Sequence, residues 1–307
     1  MRARLIAAFA AVYIIWGSTY LAIRFAVETL PPLLMAGARF LVAGLILLLW
    51  AKLREPDTKP TQIDWKTGLI SGALLLLGGN GGVVWAEQRV PSGIAALLVA
   101  VVPLWMVLLD WWRPRGQRPP MLVFAGLGLG LVGLALLVGP DALSGRGEIS
   151  IPGAIVLVLA SLAWAAGSLY TKHAPKASSS LNAAATQMIA GGLLLVVVAV
   201  FAGEPSHMDL AHASSRSILG FLYLLTFGSL VGFTAYVYLL AHTTAAKAAT
   251  YAYVNPVVAV LLGWAFASEP VTSRTLLAAA VILAGVAIIT VAGEHDVSAP
   301  EEERAVA

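Results

Sequence analysis

Long apolar runs alternate with short polar segments along almost the whole chain. A helix needs about 20 residues to cross the roughly 30 Å hydrocarbon core of a bilayer. Nine runs of that length contain no Asp, Glu, Lys or Arg, and a tenth, residues 30–51, contains only Arg39. The pattern predicts an all-α integral membrane protein with ten transmembrane helices. The nine uncharged runs are residues 5–23, 67–86, 90–109, 119–140, 149–171, 177–203, 217–246, 248–268 and 275–293.

The composition indicates that lipid is the solvent for most of the chain. Hydrophobic residues make up 59% of the 307 residues and charged residues only 11%, whereas a soluble domain has about 25% charged residues. The run 5–23 is long enough to span, so we expect it to be the first helix and not a cleaved signal peptide. The absence of cysteine excludes disulfides, thiolate metal sites and Cys nucleophiles.

The basic residues are distributed unevenly between alternate loops. With the N-terminus inside, 13 of the 19 Lys and Arg residues fall on cytoplasmic segments and five on external ones. Positive charge is retained on the cytoplasmic side. We therefore predict a multi-pass protein of the inner membrane with both termini cytoplasmic and a disordered acidic tail over 294–307. Because the basic excess sets topology, the net charge of +3 does not indicate a nucleic-acid partner. The lipid bilayer is the expected surrounding.

The chain also contains an internal repeat. Pro103 in the fourth predicted helix aligns with Pro256 in the ninth, and Trp16 in the first aligns with Trp164 in the sixth. Gly133 in the fifth similarly matches Gly285 in the tenth. Since five helices are an odd number, the second half must be inverted relative to the first. We predict two five-helix units, over 1–143 and 149–293.

Four segments carry a resemblance to a known family. The chain resembles the drug/metabolite transporter superfamily, in particular its EamA-type branch, and within that branch the YddG-type exporters of aromatic and other amino acids. The resemblance implies a cavity surrounded by helices 1, 3, 4, 6, 8 and 9, with helices 5 and 10 peripheral, and export of amino acids or related metabolites. Trp111-Trp112-Arg113 departs from the family pattern, which commonly has a Glu-containing turn there. The segments are WGSTYLAIR, PPLLMAGARF, VPSGIAALLVAVVPLW and TYAYVNPVVAVLLGWAFASEPVT.

Helix-weakening residues lie in the middle of several predicted spans. Pro103 cannot donate to the carbonyl of Val99, and Pro256 cannot donate to Ala252, so we expect kinks there. Glycines of the third and eighth helices, Gly79 and Gly232 among them, also weaken their helices. Close helix packing is the alternative role for these glycines. Asn80 lies within a run of four glycines. Its amide needs polar partners in a membrane, which favours a place in a watery cavity.

Aromatic and amide side chains inside the spans are candidates for substrate binding. Aromatic faces can hold an ammonium group or stack on an apolar side chain. Packing against lipid or neighbouring helices is the alternative for each of them. Asn255 could orient a carboxylate. We expect Arg39 to be structural, by snorkelling outward or bridging helices, because the resemblance places its helix outside the inner ring. Contact with the substrate is the alternative, since a charge inside a span normally marks function. The candidate aromatic residues are Trp16, Tyr20, Trp105, Trp164, Tyr251 and Tyr253.

Other classes of protein are disfavoured. The five His residues are scattered and no phosphate-binding GxxxxGK[ST] loop is present, so we expect neither enzymatic activity nor a cofactor or metal. The sequence shows neither a ring of charges nor a carbonyl filter, the features that would indicate a channel. No carboxylate lies at a midplane, which disfavours proton-coupled export of cationic drugs. We predict a secondary transporter that functions as a monomer by alternating access at a central cavity. Its substrate is an amino acid or, as the alternative, a nucleotide-sugar or drug-like compound.

Overall fold

The computed structural model describes residues 2–113, 120–143, 150–175, 177–243 and 245–298, and this part of the chain contains helices and no strand. Two short helices, Glu204–His207 and Ala245–Ala248, lie in the connections. The long helices are α1 (Arg2–Ala26), α2 (Pro32–Arg54), α3 (Gln62–Ala86), α4 (Ser92–Trp111), α5 (Met121–Leu143), α6 (Ile151–His173), α7 (Ser180–Phe201), α8 (Ser215–His242), α9 (Tyr251–Ala267) and α10 (Ser273–Ser298).

Seven helices in the described part of the chain, α1–α4 and α6–α8, are long and apolar enough to cross a membrane. Shorter apolar helical stretches cover Met121–Leu137, Val254–Ala267 and Ser273–Ile288. Large apolar side chains also cover much of the outer surface, where water would be an unfavourable solvent. The protein is therefore a multi-pass membrane protein. Examples of these outward-facing side chains are Ile14, Leu45, Leu159, Phe201 and Trp264.

Helix ends follow local chemistry. Pro31 and Pro32 open α2, where a missing backbone N–H costs no helical hydrogen bond. Thr61 and Asp64 form a capping box at the start of α3: the Thr61 hydroxyl accepts from the Asp64 amide, and the Asp64 carboxylate accepts from the Thr61 amide. Polar residues thus stop and start the helices between apolar runs.

Two helices change from α to π geometry in the middle. In α3 the π-helical stretch is Gly72–Gly81, and in α8 it is Leu224–Phe233. Wider turns of this kind occur mostly at functional sites. The two stretches occupy matching positions in the two halves of the chain, at the segments where the sequence predicted weakened helices.

The helices pack in two groups. α5 and α10 pair with each other at the side of the bundle, where their backbones come close together. A Cβ atom placed on Gly133 would lie 2.6 Å from Cγ1 of Ile282, and one placed on Gly285 would lie 2.7 Å from the carbonyl oxygen of Gly126. The remaining helices pack around the centre, with α2 against α7 and α3 against α6.

The two proline-bearing helices differ from each other. α4 stops at Val99 and resumes at Val102, so its interruption comes directly before Pro103. α9 instead runs without a break through Pro256, which lies in its second turn. Pro256 cannot donate to the carbonyl of Ala252 inside this helix, and the kink expected there stays a prediction. The break in this half comes earlier, at Ala249 and Thr250.

At the C-terminal end, α10 continues through Ser298. The predicted disordered tail, 294–307, is thus helical over its first five residues, which include no Pro or Gly that would stop the helix. The rest of that segment lies outside the described residues.

Candidate functional site

A cavity lies at the centre of the bundle, with about 660 Å³ of space not filled by protein atoms, a volume that includes open solvent. The wall comes from α1, α2, α3, α4, α6, α8 and α9, and none of the described side chains of α5 and α10 belongs to it. The lining residues are Trp16, Thr19, Tyr20, Ile23, Arg39, Phe40, Gly79, Asn80, Val83, Val99, Ala160, Trp164, Gly228, Phe233, Tyr251 and Asn255.

Indole and phenol rings form one side of this cavity. Trp16 and Trp164 meet edge to face, with 5.3 Å between the ring centroids. Tyr251 meets Trp16 in the same manner, also at 5.3 Å. Buried Tyr236 stands behind them and donates to, or accepts from, the Ser168 hydroxyl at 2.6 Å. Edge-to-face contacts fix ring orientation, so the cavity has a rigid apolar wall.

The indole rings fit because glycines face them. A Cβ atom on Gly79 would lie 2.8 Å from Cε3 of Trp164, and one on Gly232 would lie 2.5 Å from Nε1 of Trp16. Both glycines belong to the π-helical stretches of α3 and α8. The Trp16 indole N–H also donates to the carbonyl of Gly228 at 3.3 Å. The glycines of these stretches therefore allow an aromatic ring to approach the helix backbone closely.

Arg39 brings a positive charge to the cavity. Its side chain is buried, and its Nη2 donates to Oδ1 of Asn80 over 2.6 Å. The guanidinium carbon lies 4.3 Å from the centre of the Phe40 ring. Nε of Arg39 has no hydrogen-bond acceptor. Burial of a guanidinium whose N–H donor has no acceptor costs free energy. An anionic group that enters the cavity would supply an acceptor for this donor.

This placement corrects the expectation that α2 lies outside the inner ring. Arg39 does bridge two helices through Asn80, but α2 also faces the cavity at Arg39 and Phe40. The position of an arginine within an apolar run does not show which face of the helix carries it.

Asn255 lies at the α9 side of the cavity. The side chain is buried and its Oδ1 has no hydrogen-bond donor. An unpartnered amide oxygen inside a membrane protein costs free energy unless a ligand or water satisfies it. Asn80 and Asn255 therefore place polar amide groups on two different walls, and Arg39 places a cation beside the first.

The predicted site residues divide into two sets. The structure brings Trp16, Tyr20, Gly79, Asn80, Trp164, Tyr251 and Asn255 together around the cavity.

Other predicted residues lie elsewhere. Trp105 is a correction: it is not part of the lining, and its indole N–H donates to the Ser161 hydroxyl at 2.9 Å, which ties α4 to α6. Pro103, Pro256 and Gly232 shape the backbone next to the wall. The side chain of Tyr253 lies outside the described residues.

Side chains that the sequence did not single out complete the wall. Phe40, Phe233 and Thr19 belong to this group. Phe40 and Phe233 contact each other with 6.2 Å between centroids. In an apolar run, phenylalanine on the cavity face carries no sequence signal that separates it from phenylalanine facing lipid.

A dense layer closes the bundle at the end where α1 begins. Val12, Leu239 and Leu240 are fully buried there. The Tyr13 hydroxyl hydrogen-bonds to the Thr250 hydroxyl at 2.6 Å. Lys172 donates from Nζ to the carbonyl oxygens of Leu240 and Thr243. These contacts join α1, α6, α8 and the start of α9 at that end of the bundle.

The chemistry of the cavity is that of binding. Within the described residues, no three His, Asp or Glu side chains are placed to hold a metal ion. Apolar helices, a central cavity with a fixed aromatic wall and a buried cation define a membrane transport protein. The family model of the EamA-like transporter family matches the chain twice, over residues 3–139 and 151–291. The chain belongs to the EamA-like transporter family.

Relatives agree with this membership. The chain is 42% identical over 284 residues to the uncharacterized inner membrane transporter YedA of Escherichia coli (strain K12), which covers 91% of this chain and 88% of YedA. It is 28% identical to Protein PecM of Dickeya dadantii, over 90% of this chain and 88% of PecM. A crystal structure with 18% sequence identity shares the fold, with a TM-score of 0.65 over 94% of this chain and 98% of that one.

Proposed function

We propose that this protein exports amino acids and closely related zwitterionic metabolites across the inner membrane, as a monomer, by alternating access at the central cavity. The main support is the position of Arg39: this buried cation lies in the wall of an aromatic cavity and has an N–H donor without an acceptor. A guanidinium pairs with a carboxylate through parallel hydrogen bonds. The cavity therefore offers an amino acid both a carboxylate site and an apolar wall.

The aromatic wall supports the same class of substrate. Trp16, Trp164 and Tyr251 present ring edges and faces at one end of the space. An apolar or aromatic amino-acid side chain can stack there, and an ammonium can lie over a ring face. The resemblance to the YddG-type amino-acid exporters favours the same substrates.

Export of another class of metabolite is the second candidate. Nucleotide-sugars carry two phosphate charges, and proteins that bind such groups use several Lys or Arg residues. Among the described residues, Arg39 is the one Lys or Arg residue in the cavity lining. One cation suits a monocarboxylate better than a diphosphate.

The topology in this proposal has ten spans in two inverted halves, with both termini in the cytoplasm. The matching π-helical stretches and the reciprocal Trp–Gly contacts support the duplication. The name of the E. coli relative YedA supports the inner membrane as the location. In this topology the dense layer at the start of α1 is a closed cytoplasmic gate.

Counterflow in proteoliposomes tests the proposal. Purified protein is reconstituted with one unlabelled candidate inside, and uptake of radiolabelled threonine, methionine, aromatic amino acids or nucleotide-sugars is measured, with empty liposomes as control. We expect saturable exchange of amino acids with apolar or aromatic side chains. Exchange of nucleotide-sugars alone would replace the amino-acid assignment with the second candidate.

A further inference from the structure

Glu87 stands apart from the other acidic residues at its end of the bundle. It follows directly after α3, beyond the span Gln62–Ala86, and is fully buried. Neither of its carboxylate oxygens has a hydrogen-bond partner. By contrast, Glu269 accepts from the amides of Ser92 and Gly93 at 2.7 and 3.1 Å, so it caps the start of α4.

Glu204 caps α2 in the same way, accepting from the Leu33 and Leu34 amides at 3.2 and 2.8 Å. A carboxylate at a helix N-terminus is stabilised by those amides and by the helix dipole. Glu87 has neither. Burial of the Glu87 carboxyl without hydrogen-bond partners costs much more free energy in its ionised form than in its neutral form.

Charged groups from several helices surround Glu87. Arg24 of α1 donates from Nη1 to the backbone carbonyl of Glu87 at 3.0 Å, not to its carboxylate. Arg39 of α2 and Glu269 also interact with it electrostatically, as does the phenol of Tyr20. Burial raises the pKa of the Glu87 carboxyl well above its usual range, and the charge of Glu269 raises this pKa further, while Arg24 and Arg39 lower it. Burial without hydrogen-bond partners therefore favours the neutral form of this carboxyl.

Glu87 is not itself among the lining residues of the cavity, but its neighbours are. Val83, one helical turn earlier on the same face of α3, lines the cavity, and so do Tyr20 and Arg39. Arg39 is close enough to Glu87 to interact with it electrostatically, and both side chains have buried polar atoms without a hydrogen-bond partner. A cationic site and an acidic site in this arrangement match the two charges of a zwitterion.

We propose that Glu87 is a proton-binding site that the ammonium group of the substrate and a proton occupy in turn. When an ammonium pairs with Glu87, the carboxyl releases its proton to water on that side of the membrane. When the substrate leaves, the carboxylate takes up a proton and is buried again. One proton then moves in the direction opposite to each substrate molecule. The identity of the competing ammonium rests on the proposed function; the protonation of Glu87 does not.

Infrared spectroscopy tests the protonation without any substrate. At neutral pH the wild type should show the C=O stretch of a protonated carboxyl that is missing in Glu87→Gln. Glu28→Gln is the matched control at the same end, because Glu28 is partly exposed and pairs with Arg216 at 3.4 Å; it should leave the band in place. A band that persists in Glu87→Gln overturns the inference.

Proton release on substrate binding tests the competition. Addition of a transported amino acid to purified wild type in weakly buffered solution should release up to one proton per bound molecule, and the apparent affinity should weaken by up to about tenfold for each pH unit of acidification. Glu87→Gln should bind more weakly, with no proton release and no pH dependence. Glu87→Asp keeps a titratable carboxyl and should keep proton release, which separates loss of the proton from loss of folding.

Two outcomes separate this inference from the proposed function. Amino-acid binding with equal proton release in wild type and Glu87→Gln overturns the role of Glu87 and leaves amino-acid transport intact. Absence of binding by any amino acid to folded wild type overturns the substrate class, and the infrared band then still decides whether Glu87 holds a proton.

Discussion

The indole rings of Trp16 and Trp164 meet edge to face at the centre of the protein, with centroids 5.3 Å apart and ring planes at 83°. Trp16 is on α1 and Trp164 is on α6, at matching positions of the two halves of the chain. Residues that correspond in two repeats contact each other only near the axis that relates the repeats. This pair therefore marks the place where the two halves come together.

Each of these tryptophans packs on a glycine of the other half. Trp164 covers Gly79 of α3, and Trp16 covers Gly232 of α8. Both glycines belong to π-helical stretches. The arrangement is reciprocal, so the two walls of the cavity have the same construction.

Gly232→Ala should impair transport. The added Cβ would lie 2.5 Å from Nε1 of Trp16, so the ring or the helix must shift, and overpacking of this kind costs about 1–3 kcal/mol. Counterflow and thermal unfolding in detergent measure the two effects. Gly128→Ala is the matched control, because a Cβ there meets no atom within 4 Å. Equal flux in both variants would show that the Trp16 contact has no role.

Arg39→Gln should weaken substrate binding strongly. Loss of one partner from a buried charge pair costs about 2–5 kcal/mol, or about 30-fold or more in affinity. Arg39→Lys keeps the charge but loses the planar pair of donors, so it should fall between wild type and Arg39→Gln. Arg216→Gln, which removes a half-exposed arginine outside the cavity lining, serves as control. Unchanged affinity in Arg39→Gln would exclude a carboxylate at this residue.

Trp164→Ala and Asn80→Ala should reduce transport while folded protein is retained. Truncation of an aromatic group at the centre of a binding site commonly costs about 2 kcal/mol or more. Trp105→Ala should behave differently, because Trp105 bonds to Ser161 outside the cavity: it should lower the unfolding temperature and leave the substrate affinity unchanged. Direct binding by calorimetry measures the affinity. A larger affinity loss in Trp105→Ala than in Trp164→Ala contradicts the assignment of the wall.

Glu269→Gln should destabilise the protein. The carboxylate of Glu269 accepts from two amides at the start of α4, and a hydrogen bond to a charged group contributes about 1.5–3 kcal/mol. The midpoint of thermal unfolding in detergent should fall. Glu28→Gln, at the same end of the bundle, should leave it nearly unchanged. A midpoint that stays at the wild-type value in Glu269→Gln would show that this cap contributes nothing.

The sequence predicted the helices well because the relevant signal is simple. Uncharged runs lie at the positions of α1, α3, α4, α6, α7 and α8, and the aligned pair Trp16 and Trp164 lines the cavity. Asn80 and Trp164 could be singled out because polar and large aromatic side chains within an apolar run usually have a structural or functional role.

Arg39, Trp105 and Glu87 needed the structure. Arg39 faces the cavity, whereas Trp105 faces Ser161 of α6. When both faces of a helix are apolar, the helical period does not show which face points to the cavity. Glu87 follows a helix in a short turn, where acidic residues are normally solvated. Its burial depends on which helices pack over that turn, and the order of residues along the chain does not contain this information.

In the proposed architecture two five-helix units of opposite orientation enclose the cavity, and the accessibility of single cysteines shows on which side of the membrane each connection lies. The chain has no native cysteine, so Lys59→Cys, His173→Cys and His207→Cys each introduce one label site at an exposed position. A membrane-impermeant maleimide applied to intact cells and to inverted vesicles reports the side of each. We predict that residues 59 and 173 label only from the cytoplasmic side and residue 207 only from the opposite side. Labelling of 59 and 173 from opposite sides would contradict the inverted architecture.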